Sequence, residues 1–140
     1  MHRIDFKYKI DYKGYLDHPG SYPVVTIRVT SAQAPVDIPA IVDTGTESTL
    51  VSGEYALALG IDVQSGNRKV FLPTRGLGLI AWGHRVRIDL LGETVECEIF
   101  FSEERLSRSL LGRDILALTH LGLREQHGQL FLFEESYSQT

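Results

Sequence analysis

The run Ile38-Pro39-Ala40-Ile41-Val42-Asp43-Thr44-Gly45-Thr46-Glu47-Ser48 carries an apolar, strand-like segment straight into a carboxylate and a turn of Thr and Gly. Small hydroxyl residues follow. A carboxylate at the end of a buried strand is costly unless it is hydrogen-bonded or put to chemical use. Alone, Asp43-Thr44-Gly45 reads equally well as a polar turn that closes a strand. Its meaning depends on what the rest of the chain carries.

On the N-terminal side, Val25, Ile27 and Val29 alternate with Thr26, Arg28 and Thr30. Ile4, Phe6, Tyr8 and Ile10 likewise alternate with Asp5, Lys7, Lys9 and Asp11, the period of a half-buried strand. Asp17-His18-Pro19-Gly20 and Ala34-Pro35 supply the breaks between them. On the C-terminal side, Leu50-Val51 predicts a short buried strand. Ser52 is a candidate cap for a helix from Gly53 to Leu59, with Gly60 as its stop. Val70-Phe71-Leu72 is strand-like, Pro73 interrupts it, and Gly76, Gly78 and Gly83 punctuate an apolar stretch containing Trp82. Val86, Ile88 and Leu90 face Val95, Cys97, Ile99 and Phe101 across a turn at Leu91-Gly92-Glu93, which predicts a β-hairpin. Ile115 to Leu121 predicts a short helix stopped by Gly122, Gln129 to Phe133 a final strand, and Glu134 to Thr140 a frayed polar tail. Many short strands, one or two short helices and frequent glycine turns predict a mostly β domain, a small barrel or sandwich.

Composition narrows the function classes. A chain of 140 residues is sized for one domain with a real core. The net charge of -4 leaves no electrostatic footprint for nucleic acid, and the basic residues are too scattered for an anionic membrane patch. Cys97, the single cysteine, excludes an internal disulfide and sits in an apolar alternation as a packing residue. No signal-peptide core and no stretch of transmembrane length is present, so a soluble, cytoplasmic protein is expected. His2, His18, His84, His120 and His127 lack metal-ligand spacing, and there is no G-x-S-x-G elbow. Gly76-x-Gly78-x-x-Ala81 fits a dinucleotide fingerprint only formally, because a strand pattern follows where that motif needs a helix.

Asp43 remains. Ala40-Ile41-Val42-Asp43-Thr44-Gly45, the glycine-containing segment after it, and Leu110-Leu111-Gly112-Arg113-Asp114-Ile115-Leu116 together resemble a retropepsin, the single-lobe aspartic protease family of retroviruses and related cellular proteins. The resemblance spans residues 23–133, leaves 1–22 as an N-terminal extension with a strand, and leaves 134–140 as a flexible tail. It implies a small closed β-barrel with one or two short helices that is catalytically incomplete alone. Two copies would pair about a two-fold axis and place each Asp43 beside its symmetry mate.

Further roles follow from the same resemblance. Asp43, Thr44 and Gly45 would be the catalytic loop, with Thr44 bonding across the dimer axis and Gly45 letting the backbone approach the substrate. Thr46, Glu47, Gly76, Leu77, Gly78 and Leu110 would bind substrate, and residues 74–82 would form a flap that closes over it. Arg113 and Asp114 would support the loop, Arg113 by pairing with Glu47. Thr46 stands where retroviral members usually carry Ala or Ser, and Arg75 and Trp82 are bulky for a flap. The implied activity is a homodimeric aspartic endopeptidase acting on peptide or protein substrates without metal or cofactor. The alternatives are a dimerising, peptide-binding module that does not turn over, and a plain β scaffold in which Asp-Thr-Gly is only a turn.

Overall fold

The computed structural model of the chain describes residues 2–12, 22–72 and 78–139. The Asp43 run forms β3 (Val36–Val42), which pairs antiparallel with β2 (Val24–Thr30). On its other edge β3 pairs parallel with β8 (Ser109–Leu111), in the register Ala40 to Ser109, Ile41 to Leu110 and Val42 to Leu111. That register brings the two signature segments to the same level, because parallel strands leave the sheet in the same direction. β4 (Leu50–Val51) follows the Asp43 loop and lies between β8 and β7 (Glu93–Ser102), antiparallel to the first and parallel to the second.

β6 (Leu79–Leu90) closes the sheet. Its N-terminal half pairs with β5 (Asn67–Phe71), its C-terminal half with β2 through Arg28 to Asp89 and Thr30 to Arg87, and its opposite edge with β7. The seven-stranded order β2-β3-β8-β4-β7-β6-β5 thereby returns from β6 to β2. Such closure pairs the β2 edge that an open sheet would leave free. Leu90 and Glu93 pair across a two-residue turn, and Leu91 (φ 50°) and Gly92 (φ 86°) both take positive φ. That is the turn whose twist matches the flanking strands.

The interior follows the strand alternation. Val25, Ile27 and Val29 of β2, Ile38 and Ala40 of β3, Val86, Ile88 and Leu90 of β6, and Ile99 and Phe101 of β7 are all buried in one cluster. Each of the Val, Ile, Leu and Phe side chains among them stabilises the fold by about 1.5–3 kcal/mol relative to exposure. Cys97 packs against this cluster, and burial, reinforced by the charge of Asp114, pushes its thiol up to about 11. It stays protonated at neutral pH and is inert.

Three expectations are corrected. The helix expected at Ile115 to Leu121 is the shorter α2 (Arg113–Leu116), and β9 (Leu121–Arg124) begins where that helix was to end. Gly122 is not a helix stop. It lies in β9 under the Phe6 ring, where a Cβ would come within 3.2 Å of Phe6 Cζ. Second, α1 (Glu54–Ala58) ends at Gly60 (φ +70°) as expected, but Ser52 does not cap it. The Ser52 hydroxyl accepts the Leu106 N–H instead. Third, the tail does not fray before Gln139. β10 (Gln129–Gln139) pairs along its length with β1 (His2–Asp11), and the pair forms a separate three-stranded sheet with β9. Backbone ladder bonds made by a polar segment leave no trace in its side-chain pattern. β1 is therefore built into the fold through β10.

The same sheet is fastened at Tyr12, which is buried, donates its hydroxyl to Glu125 and its N–H to the Gly128 carbonyl. Desolvation first, then that hydrogen bond and the nearby charge, push the phenol up to about 12. Among the described residues no helix is long and apolar enough to cross a membrane.

Two outcomes are expected. Leu111→Ala, which empties a fully buried site beside Val42, should lower stability by about 2–5 kcal/mol in chemical denaturation. A raised phenol pKa contributes stability that is complete below the unfolded value of 10.0 and lost as pH rises toward about 12. Tyr12→Phe should flatten that alkaline loss in denaturation curves taken across the same range.

Candidate active site

The candidate site begins where β3 ends. The Asp43 N–H donates to the Leu111 carbonyl at 3.0 Å, extending the β3–β8 ladder one residue past both strands. The chain then turns, and the Gly45 N–H donates back to Asp43 Oδ1 at 2.8 Å. One carboxylate oxygen is thus held by the loop's own backbone. A Cβ on residue 45 would lie 3.1 Å from that oxygen, a crowding that glycine avoids. Thr44 and Gly45 are exposed at the tip, and Asp43 is half-buried.

The loop is held from behind by the second signature. The Thr46 and Glu47 carbonyls accept the N–H groups of Arg113 and Asp114 at 2.9 and 3.0 Å. Asp114 reaches across in return: Oδ2 accepts the Thr49 N–H at 2.9 Å, and Oδ1 accepts the Thr49 hydroxyl at 2.7 Å. Oδ1 also accepts the Ile115 N–H at 2.8 Å. The Thr49 oxygen accepts the Gly112 N–H at 3.0 Å, so the hydroxyl both donates and accepts. Gly112 has ordinary extended backbone, and its constraint is space. A Cβ there would sit 2.6 Å from the Ser48 carbonyl carbon. Only glycine lets the two segments approach this closely.

Glu47 Oε1 lies 3.7 Å from Arg113 Nη2, with the two side chains 81% and 58% exposed. A pair so open to solvent contributes little, and the bonds from buried Thr49 to half-buried Asp114 carry the support. The Thr46 hydroxyl donates to the Ser48 carbonyl at 3.1 Å, inside its own turn. It is therefore engaged away from the Asp43 carboxylate.

A cleft opens beside the loop, walled by residues 45–48 on one side and 69–72 on the other. Thr46 and Glu47 stand in its wall. Leu110 does not: it is half-buried in β8 between Ile41 and Leu50. Gly78 is exposed just before β6, opposite the Val70 side chain. Gly76 and Leu77 lie outside the described residues, as does the flap from 74 to 77. The remaining flap positions belong to the β6 arm, where the Trp82 indole N–H donates to Glu103 at 2.8 Å.

Sequence reasoning missed Thr49, Ser48 and Lys69. A threonine opening the apolar Thr49-Leu50-Val51 run was the available signal, since a buried hydroxyl needs a partner. Among the described residues, no three His, Cys, Asp or Glu side chains gather as a metal ion would require.

A closed barrel with parallel β3 and β8 ends, an Asp-Thr-Gly loop and a Gly-Arg-Asp segment beneath it define the fold of the single-lobe aspartic proteases. No protein-family model matches the sequence, and no curated protein matches it significantly. Solved structures do match. The chain is similar to a retropepsin-like aspartic protease from Rickettsia conorii, with 19% identity, 91% of this chain and 99% of that chain covered, and a TM-score of 0.62. It is also similar to EIAV protease complexed with the inhibitor HBY-793, with 16% identity, 74% and 89% coverage, and a TM-score of 0.51. The fold is retropepsin-like.

Removing the Asp114 carboxylate should cost more than removing the Arg113–Glu47 pair. Asp114→Ala leaves the Thr49 N–H, the Thr49 hydroxyl and the Ile115 N–H without their acceptor, for an expected loss of about 2–4 kcal/mol. Glu47→Gln should change stability by less than about 1 kcal/mol. Urea denaturation of both variants measures the difference.

Proposed function

We propose that this chain is a homodimeric aspartic endopeptidase. The observation that carries the reading is the Asp43 carboxylate, presented at the exposed end of a strand and oriented by the Gly45 N–H. The bonds from buried Thr49 to Asp114 beneath it fix that loop. On this reading a second copy related by a two-fold axis supplies the general acid that one carboxylate needs.

The chemistry of such a pair is determined by charge. Two carboxylates sharing a site do not both ionise readily, so the pair retains one proton. The ionised member takes a proton from a water placed between them as that water attacks the scissile carbonyl. The protonated member donates to the carbonyl oxygen and stabilises the oxyanion that forms. The dyad titrates as a unit, so neither subunit owns the acid or the base in the free enzyme. Thr44, exposed at the loop tip, would bond to its counterpart across the axis. No metal, cofactor or covalent intermediate is needed. The partners on this reading are a second copy and a peptide.

Purified protein should sediment as a dimer and cleave members of a peptide library at mildly acidic pH. Asp43→Asn should reduce kcat by about 10²–10⁴-fold while leaving the dimer intact. Cleavage that survives Asp43→Asn would end the proposal. Peptide binding without cleavage by the unaltered chain would instead support a binding module on the same fold.

A further inference from the structure

Lys69 is the unexplained charge of the cleft. It lies in β5, half-buried, on the wall opposite the Asp43 loop. Its ammonium donates to the Ser48 hydroxyl at 2.6 Å, and Ser48 is itself buried. The same nitrogen sits 5.0 Å from the ring centroids of both Phe71 and Phe100. Those two rings meet edge to face at 5.6 Å and form an apolar floor with Leu50 and Ala81. Among the described residues, no carboxylate pairs with Lys69. Glu47, the other charged residue of the cleft wall, lies against Arg113 instead.

This is an unusual way to hold a lysine. A cation taken partly out of water needs a counter-charge or full hydrogen bonding. One hydroxyl and two ring faces stabilise it only in part, because an ammonium has three donors and a cation–π contact is worth about 0.5–2 kcal/mol. The rings also restrict the long side chain, so its head is positioned before any ligand arrives. The open side of the cleft is where an anion would reach the ammonium.

We propose that Lys69 is a specificity-determining residue that selects peptides bearing an Asp or Glu side chain close to the scissile bond. The acidic side chain would lie against the Phe71–Phe100 floor and accept from the Lys69 ammonium, with the Ser48 hydroxyl as a second donor. The inference rests on reading this cleft as the peptide site.

The test uses the full chain and fluorogenic peptides that differ only by Glu or Gln at each position flanking the cleaved bond. At one position, kcat/KM should favour Glu by about tenfold, the scale of a charge-assisted hydrogen bond over a neutral one. Lys69→Met, which keeps the packing between the rings, should bring that ratio to about one. Lys69→Arg should retain it, and Lys69→Glu should reverse it toward Lys-bearing peptides. The same peptides are then titrated onto Asp43→Asn protein, with and without Lys69→Met, by fluorescence anisotropy. If nothing is cleaved but binding still favours Glu in a Lys69-dependent way, the peptidase reading fails and this inference stands. Equal treatment of Glu and Gln peptides at every position, or no binding of either, overturns it.

Discussion

Both oxygens of Asp114 accept hydrogen bonds from Thr49, and the rest of the site is arranged around that contact. It joins a residue six positions after Asp43 to one just past the end of β8. The bonds are short, the Thr49 side is fully buried, and the third acceptor position on Asp114 is taken by the Ile115 N–H. A carboxylate whose acceptor sites are filled this way sets the geometry of every donor around it. Replacing it leaves several buried donors without partners at once, and such losses exceed the net worth of an average hydrogen bond.

The close approach that this contact requires has its own conditions. Gly112 must lack a side chain, because the Ser48 carbonyl occupies the space a Cβ would need. β3 and β8 must be parallel and in register, so that Asp43 and Gly112 leave the sheet together. The Thr46 and Glu47 carbonyls must face the first turn of α2 to receive its free N–H groups. That last arrangement also solves a general problem. The first N–H groups of any helix lack internal partners, and here the candidate catalytic loop supplies them. The loop and the helix start satisfy each other.

The two walls of the cleft differ in how they are secured. The wall at 45–48 belongs to this network and is anchored from below. The wall at 69–72 belongs to β5, which is held along one edge by β6. Leu72, at its end, is 83% exposed, a large apolar side chain open to water next to the cleft. Trp82 and Gln64 both donate to Glu103, which ties the base of the β6 arm to the segment after β7.

The sequence by itself determined the mostly β class, the hairpin across Leu91-Gly92 and the importance of the two signature segments. Those features rest on local rules: strand alternation, positive-φ turns, and a carboxylate placed after an apolar run. The Glu47–Arg113 proximity was also legible, through resemblance, although solvent makes it the weaker contact. Only the tertiary structure decided that Thr49 is the true partner of Asp114, that Leu110 lies between Ile41 and Leu50 in the sheet, and that Lys69 lines the cleft beside the loop. It alone showed residues 134–139 as strand and the segment after α2 as β9. Each of these depends on which distant backbone supplies the partner. A single residue's polarity or periodicity does not encode that choice; the register between strands far apart in sequence does.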